Sequence, residues 1–378
     1  MNFTESIVMG GEPVAQALYN PVRIQDGQTM KEYAPPDVLS FLHEHWWKYE
    51  PLNPLFYYGF ALWYIVTGFI SVFGNVLVLY IFLKHAPLRT PSNILVMNLA
   101  LSDLCIMGTL FPECVINFFC GGVWQFGEYA CIIHAFCGAL FGYGQITTLI
   151  FVSWDRYNVI VRGFAGKPLT FMKAMIFVVI IWLYATFWSI GPLVGFGGYA
   201  LDGIMASCSF DYLNLEPANV TYIWTCFAFC YVLPLALIVF CYYFIVKAVW
   251  AHEKALKDQA KKMNVASLRS NEDAAKQSAE IRIAKVAMIN VTLWVIAWTP
   301  FAVICLIGIA GDQSVLTPLV STLPILFSKT SCVYNPLIYA ISHPKFRQFA
   351  KKDLPWLCIN EQIKDNQSTA SDVTKVET

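Results

Sequence analysis

The sequence predicts an all-α membrane protein: a seven-transmembrane helix bundle followed by a short cytoplasmic amphipathic helix. Three observations predict it. The 378 residues are 57% hydrophobic and only 13% charged, where soluble domains carry about a quarter charged residues. Seven apolar runs, at about 56–83, 93–118, 130–160, 172–196, 218–247, 284–309 and 314–341, each suffice for one helical crossing of about 20 residues. Of the 25 lysines and arginines, none falls in the loops after runs two, four and six, while 21 gather at the ends of runs one, three, five and seven and beyond them, which marks those sides as cytoplasmic. The N-terminus is then extracellular and the C-terminus cytoplasmic. The formal net charge is zero, so the overall balance names no anionic partner, and no nucleic-acid partner is expected. No internal repeat or low-complexity segment is present, which argues against a solenoid or an inverted-repeat transporter.

Residues 1–54 are polar, aromatic and punctuated by Pro13, Pro21, Pro35, Pro36, Pro51 and Pro54, and read as an extracellular tail ordered in patches. No basic segment leads into an apolar core there, so the first span is expected to direct insertion. The bundle occupies 55–342. Pro112, Pro192, Pro234, Pro300 and Pro336 fall inside its spans, where kinks serve as hinges. The polar connection 248–283 has helix-favouring ends, which suggests extensions of spans five and six. Residues 343–353 place Phe346, Phe349 and Ala350 between basic residues, the pattern of a helix lying on the membrane, and 354–378 form a cytoplasmic tail. Of the four sequons, Asn2-Phe-Thr4 and Asn219-Val-Thr221 fall outside, with Asn2 the better acceptor. Twelve cysteines read mostly as small apolar packing residues. Cys131 and Cys208 both face the oxidising side and are able to pair, but Cys114 and Cys120 compete, and spacing leaves the pairing open.

Polar residues inside the spans carry the chemistry. Lys329 lies in the middle of run seven, where a lysine costs about 2.5–3.5 kcal/mol to insert; every other basic residue sits at a span edge, in a loop or in a tail. An amine in apolar surroundings favours its neutral form, the form that attacks an aldehyde. Asp103, Asn75 and Asn335 lie at similar depth and are expected to hydrogen-bond to one another, as a functional group or simply as helix glue. Arg156, at the end of span three, either snorkels to the interface or pairs with Glu280 at the inner end of span six, a contact whose opening would expose a cytoplasmic crevice.

The ordered set Gly74-Asn75, Leu99-Ala-Leu-Ser-Asp103, Asp155-Arg156-Tyr157, Trp182, Pro234, Ala297-Trp298-Thr299-Pro300 and Asn335-Pro336-Leu-Ile-Tyr339 resembles the helix signatures of class A G-protein-coupled receptors over residues 56–350. Within that superfamily, Lys329 six residues before Asn335 resembles the retinal-attachment lysine of opsins. Ile341-Ser-His-Pro-Lys-Phe-Arg347, Lys261-Lys-Met-Asn-Val and Ala279-Glu-Ile-Arg-Ile-Ala-Lys285 further resemble arthropod visual opsins of the rhabdomeric type.

The resemblance implies a visual pigment in photoreceptor plasma membrane that binds 11-cis-retinal, or a hydroxylated analogue, through a protonated Schiff base on Lys329. It implies a Cys131–Cys208 bond that folds the second outer loop down as a lid. Buried cations need a carboxylate partner, and two are on offer: Asp202, matching a loop position where opsins commonly carry an acid, and Glu113 beside Pro112, otherwise an interfacial acid. Asp202 is preferred by resemblance. His134 stands three residues after Cys131, where vertebrate opsins have a glutamate and rhabdomeric opsins usually a tyrosine; the departure points to the loop acid, an arrangement associated with photoreversible products. Gly138, Ala139, Gly142, Tyr143, Trp298 and Phe301 are expected to line the cavity. Tyr339 belongs to the switch set with Asp155, Arg156, Tyr157, Glu280, Asp103 and Asn335. The implied partners are a Gq-type G protein, arrestin, a receptor kinase acting on Ser368, Thr369, Ser371 or Thr374, and membrane lipid, with Cys358 a candidate lipidation site. A retinal photoisomerase or non-signalling opsin is the alternative reading.

Overall fold

The structure, a computed structural model, describes residues 27–163, 167–263, 272–342 and 344–357. Asn2, Cys358 and the tail hydroxyls lie outside the described residues, as do the side chains of Glu280 and Tyr339.

Among the described residues, six helices are long and apolar enough to cross a membrane. They are α1 (Pro54–Lys84), α2 (Pro91–Phe119), α3 (Gly127–Ile160), α4 (Phe171–Ile190), α5, and α6 (Glu272–Ala310). α5 runs through Pro217–Cys226, a π-helical turn Phe227–Val232, and Leu233–Met263. The seventh, α7, is two segments, Pro318–Ser328 and Ser331–Ser342, interrupted at Lys329 and Thr330. Five of the starts, those of α1, α2, α4, α5 and α7, have a local cause. Asn53, Thr90, Thr170 and Thr317 accept hydrogen bonds from first-turn amides, and Pro54, Pro91, Pro217 and Pro318 occupy the first turns, where a missing N–H is harmless. The cap at Thr317 explains why α7 begins later than the apolar run, and α4 ends six residues before its run does, in a turn Gly191–Val194 containing Pro192. The helix-favouring ends of the long connection do extend α5 and α6.

α3 packs against α2, α4, α5 and α6 and is the most buried span. Leu62, Phe69, Leu183 and Phe187 project outward from α1 and α4, more than 60% exposed, a lipid-facing surface on helices apolar all round. At one end a hairpin of β1 (Tyr199–Leu201) and β2 (Cys208–Phe210), in register Ala200↔Ser209, lies across the bundle. The Cys131–Cys208 disulfide ties β2 to the start of α3; the competitors Cys114 and Cys120 are buried free thiols.

Residues 30–46 roof this end. Met30, Val38, Leu42 and Trp46 join one buried cluster with Leu201, Met205 and Leu316, and His45 Nε2 bonds the Leu316 carbonyl at 2.7 Å. Gly203 permits the approach, because a Cβ there would come within 2.8 Å of the Trp46 ring. Asn219 is buried at 3% exposure and donates to the Asp211 and Asn214 carbonyls, so its sequon is not available as a glycan acceptor. At the opposite, basic end, α8 (Pro344–Asp353) buries Phe346 and Ala350 against Val78, Ile81 and Phe82 of α1. Lys84 and His85 hold its Asp353 at 3.0 and 2.8 Å.

Candidate ligand cavity

Lys329 sits at the interruption of α7. Its amide reaches back to the Leu326 carbonyl and its own carbonyl accepts from Cys332, so the chain turns without leaving those groups unpaired. Below the break, Pro336 has no N–H to offer the Cys332 carbonyl; Ser71 Oγ and Asn75 Nδ2 of α1 supply donors at 3.1 and 3.0 Å. The lysine side chain is 7% exposed. Its Nζ lies 5.4 Å from the centre of the Trp298 ring and 3.9 Å from where a Cβ on Gly138 would be. It has no hydrogen-bond or ion-pair partner among the described residues.

The amine opens into an apolar cavity between α3, α5, α6, α7 and β2. His134, Gly138, Ala139, Gly142, Tyr143, Trp298, Phe301 and Lys329 all line it. Gly142 matters sterically, since an added Cβ would press to 3.1 Å from the Trp298 indole. Sequence reasoning missed the contribution of α5. Tyr222, Ile223, Cys226, Phe227, Cys230 and Tyr231 form one wall, the last three presented by the π-helical turn, and Tyr231 Oη bonds Thr299 Oγ1 of α6 at 2.5 Å. The i, i+4 pair Cys226 and Cys230 ahead of Pro234 was the available signal. Phe210 of β2 and Cys305 of α6 also line the cavity.

Neither candidate acid is in ion-pair contact with Lys329. Asp202, 2% exposed, lies in the hairpin turn and accepts hydrogen bonds from Ser207 Oγ at 2.8 Å and Ser209 Oγ at 2.7 Å. Ser209 itself lines the cavity, so the acid stands behind the wall. Burial pushes its carboxyl up to about 7, against the opposing pull of the Ser209 and Ser207 hydroxyls and of Lys329. Glu113 points instead to α3, with Oε2 2.5 Å from His134 Nδ1.

Beneath the cavity runs a polar chain. Trp298 Nε1 donates to Ser331 Oγ at 3.2 Å, Ser331 Oγ to Gln145 Oε1 at 3.4 Å, and Gln145 Nε2 to Asp103 Oδ1 at 2.6 Å. Asn335 Nδ2 donates to the other Asp103 oxygen at 2.5 Å, and Trp294 Nε1 to Gln145 Oε1 at 3.1 Å. The expected trio of Asp103, Asn75 and Asn335 is therefore corrected: Asn75 bonds Ser71 and the Cys332 carbonyl, and Gln145 takes the place next to Asp103 because α3 lies between α2 and α6 at that depth. At the basic end, Arg156 bonds Asp155 at 2.5 Å and Ser92 Oγ of α2 at 3.0 Å, and Tyr157 packs against Phe240 and Phe244 of α5.

The family described as 7 transmembrane receptor (rhodopsin family) matches residues 74–339. The compound eye opsin BCRH2 of Hemigrapsus sanguineus is 49% identical over 350 residues, covering 92% of this chain and 93% of that protein. The lateral eye opsin of Limulus polyphemus is 41% identical over 355 residues, 93% and 94% of the two chains. Among solved structures, squid rhodopsin superposes with a TM-score of 0.80 at 35% identity, covering 87% of this chain and 94% of that one.

Proposed function

The chain belongs to the rhodopsin family of seven-transmembrane receptors, among the visual opsins, and from that premise we propose that it is a light-activated receptor carrying retinal on Lys329. The observation that carries the reading is the buried amine of Lys329, without a hydrogen-bond or ion-pair partner among the described residues, at one end of an apolar cavity. An aromatic and aliphatic chamber with one nucleophilic nitrogen suits a long apolar aldehyde. When bound, retinal supplies that aldehyde and a polyene whose shape changes on absorbing light. Lys329 would hold that aldehyde through its nitrogen, the carbonyl oxygen leaving as water, and with one proton taken up the nitrogen would be cationic. Asp202 supplies the compensating charge from behind Ser209, its two serine partners stabilising the ionised carboxylate. The hairpin, disulfide and roof segment exclude water from above, which strengthens that electrostatic interaction.

Trp298 forms the floor, and Gly142 leaves it no slack on the α3 side. A change of cavity shape therefore moves the indole and its link through Ser331 and Gln145 to Asp103 and Asn335. That chain ties α6 and α7 to α3 and α2, so its rearrangement shifts the balance between two helix packings. At the basic end the same shift releases Arg156 from Asp155 and Ser92, with Glu280 and Tyr339 completing the switch. We assign residues 1–54 and the hairpin to the extracellular side and the basic end, with α8 and the tail, to the cytoplasm of photoreceptor cells. There a Gq-type G protein, and subsequently receptor kinase and arrestin, would dock. The loop position of Asp202 favours a photoreversible, bistable pigment.

The test is light-dependent nucleotide exchange. The full chain, purified with 11-cis-retinal and mixed with Gq, is predicted to accelerate exchange only after illumination, and Lys329→Ala to abolish the response. Release of isomerised retinal without exchange would overturn the receptor assignment in favour of a photoisomerase.

A further inference from the structure

His134 and Glu113 make a contact that neither residue's sequence position foretold. His134 Nδ1 stands 2.5 Å from Glu113 Oε2, joining α3 to α2. An ionised carboxylate only accepts hydrogen bonds, so the contact selects the tautomer in which Nδ1 carries the proton and leaves a lone pair on Nε2. Trp124 packs edge-on to the imidazole at 5.2 Å and fixes its orientation. Nε2 has no hydrogen-bond partner among the described residues, and the ring lines the same cavity as Lys329. His134 is four residues before Gly138, beside which the Lys329 nitrogen lies, and one helical turn is only about 5.4 Å of rise. The Glu113 side chain is 32% exposed, whereas the imidazole is 2% exposed.

We infer that His134 and Glu113 act as one acid–base dyad that exchanges a proton with the Lys329 nitrogen, with His134 Nε2 the accepting atom and Glu113 the positioning residue behind it. The inference rests on Lys329 as the attachment site. In the exchange, the N–H bond on the lysine nitrogen breaks and its electron pair stays on that nitrogen. The proton bonds to Nε2, and the imidazolium so formed is paired with the Glu113 carboxylate. A cation beside an anionic dyad thus becomes a neutral nitrogen beside a neutral ion pair, with no net charge created in the cavity. Asp202 is a separate partner, both of its oxygens being engaged by serine hydroxyls. The other titratable groups facing these residues are Cys114 on α2, Cys137 on α3 and Cys332 on α7.

Two measurements on the full chain decide it. In the retinal-free protein, ¹⁵N-histidine NMR, with the His134 signal identified by its loss in His134→Asn, is expected to report the Nδ1–H tautomer, and Glu113→Gln to convert it to a mixture or to Nε2–H. An Nε2–H tautomer in the unaltered chain, or a signal indifferent to Glu113→Gln, would overturn the dyad. In the chain loaded with 11-cis-retinal, alkaline titration of the visible band is expected to move to lower pH by about one unit, tenfold in proton affinity, in Glu113→Gln and in His134→Phe, and no further in the double variant. Additive shifts would overturn the coupling. Failure to form any pigment would sink the attachment reading while leaving the NMR result to stand.

Discussion

Asp202 shows how one residue links folding to chemistry. Burial raises its carboxyl to about 7, above the ordinary aspartate value of about 3.9. A folded-state value above the unfolded one means that its contribution to stability is fully present below about pH 4 and is lost as pH rises through about 7. The retinal-free protein should accordingly lose thermal stability between those pH values, and Asp202→Asn should flatten that part of the profile in a scan of Tm against pH. An unchanged slope in the variant would remove Asp202 as its source. Ser207 and Ser209 work in the opposite sense, holding two charge-assisted hydrogen bonds ready for the ionised form. Under the proposed function, a cation at Lys329 would draw the proton off Asp202 and make the ionised acid its charge partner.

At the scale of elements, α7 is built to be broken. Pro336 frees the Cys332 carbonyl, and α1 repairs the loss with two donors, Ser71 and Asn75. Removing one donor leaves the carbonyl satisfied, so Ser71→Ala or Asn75→Ala should cost only about 0.6 kcal/mol, the average for an interhelical hydrogen bond in a membrane. Removing both strands a buried carbonyl, at about 1–3 kcal/mol. The double variant should therefore be destabilised by more than the sum of the singles, read as urea or thermal unfolding in micelles. Simple additivity would mean that water or another group replaces the donors. The break also places Lys329, because a continuous helix would carry its side chain through a different arc. α5 uses the second device, a π-helical turn that brings Cys226, Phe227, Cys230 and Tyr231 to one wall.

Across the whole molecule, the spans, their order and the interior position of Lys329 were legible from the chain, since a bilayer requires runs of about 20 apolar residues and makes an interior lysine conspicuous. The six residues expected to line the cavity, Gly138, Ala139, Gly142, Tyr143, Trp298 and Phe301, do line one chamber with Lys329. The α5 wall was not legible, because a one-residue change of helical register leaves no trace in hydrophobic periodicity. Nor was the roof formed by residues 30–46, whose short helical turns have no sustained period and are held by Met30, Val38, Leu42 and Trp46 and by hydrogen bonds from Tyr33 and His45 to the Gly121 and Leu316 carbonyls. Asn75 was assigned the wrong partner because depth along a helix does not reveal which neighbour a kink leaves in need of a donor. Roof, hairpin and disulfide enclose one chamber, while the polar chain below Trp298 leads from it to the basic end. Every step in that arrangement starts at one nitrogen. The most direct test is to load the chain with 11-cis-retinal in the dark, trap the bond with borohydride, digest the protein and locate the retinyl group by mass spectrometry. The account predicts the label on Lys329 alone and no visible pigment from Lys329→Ala; a label on another lysine, or pigment persisting in that variant, would contradict it.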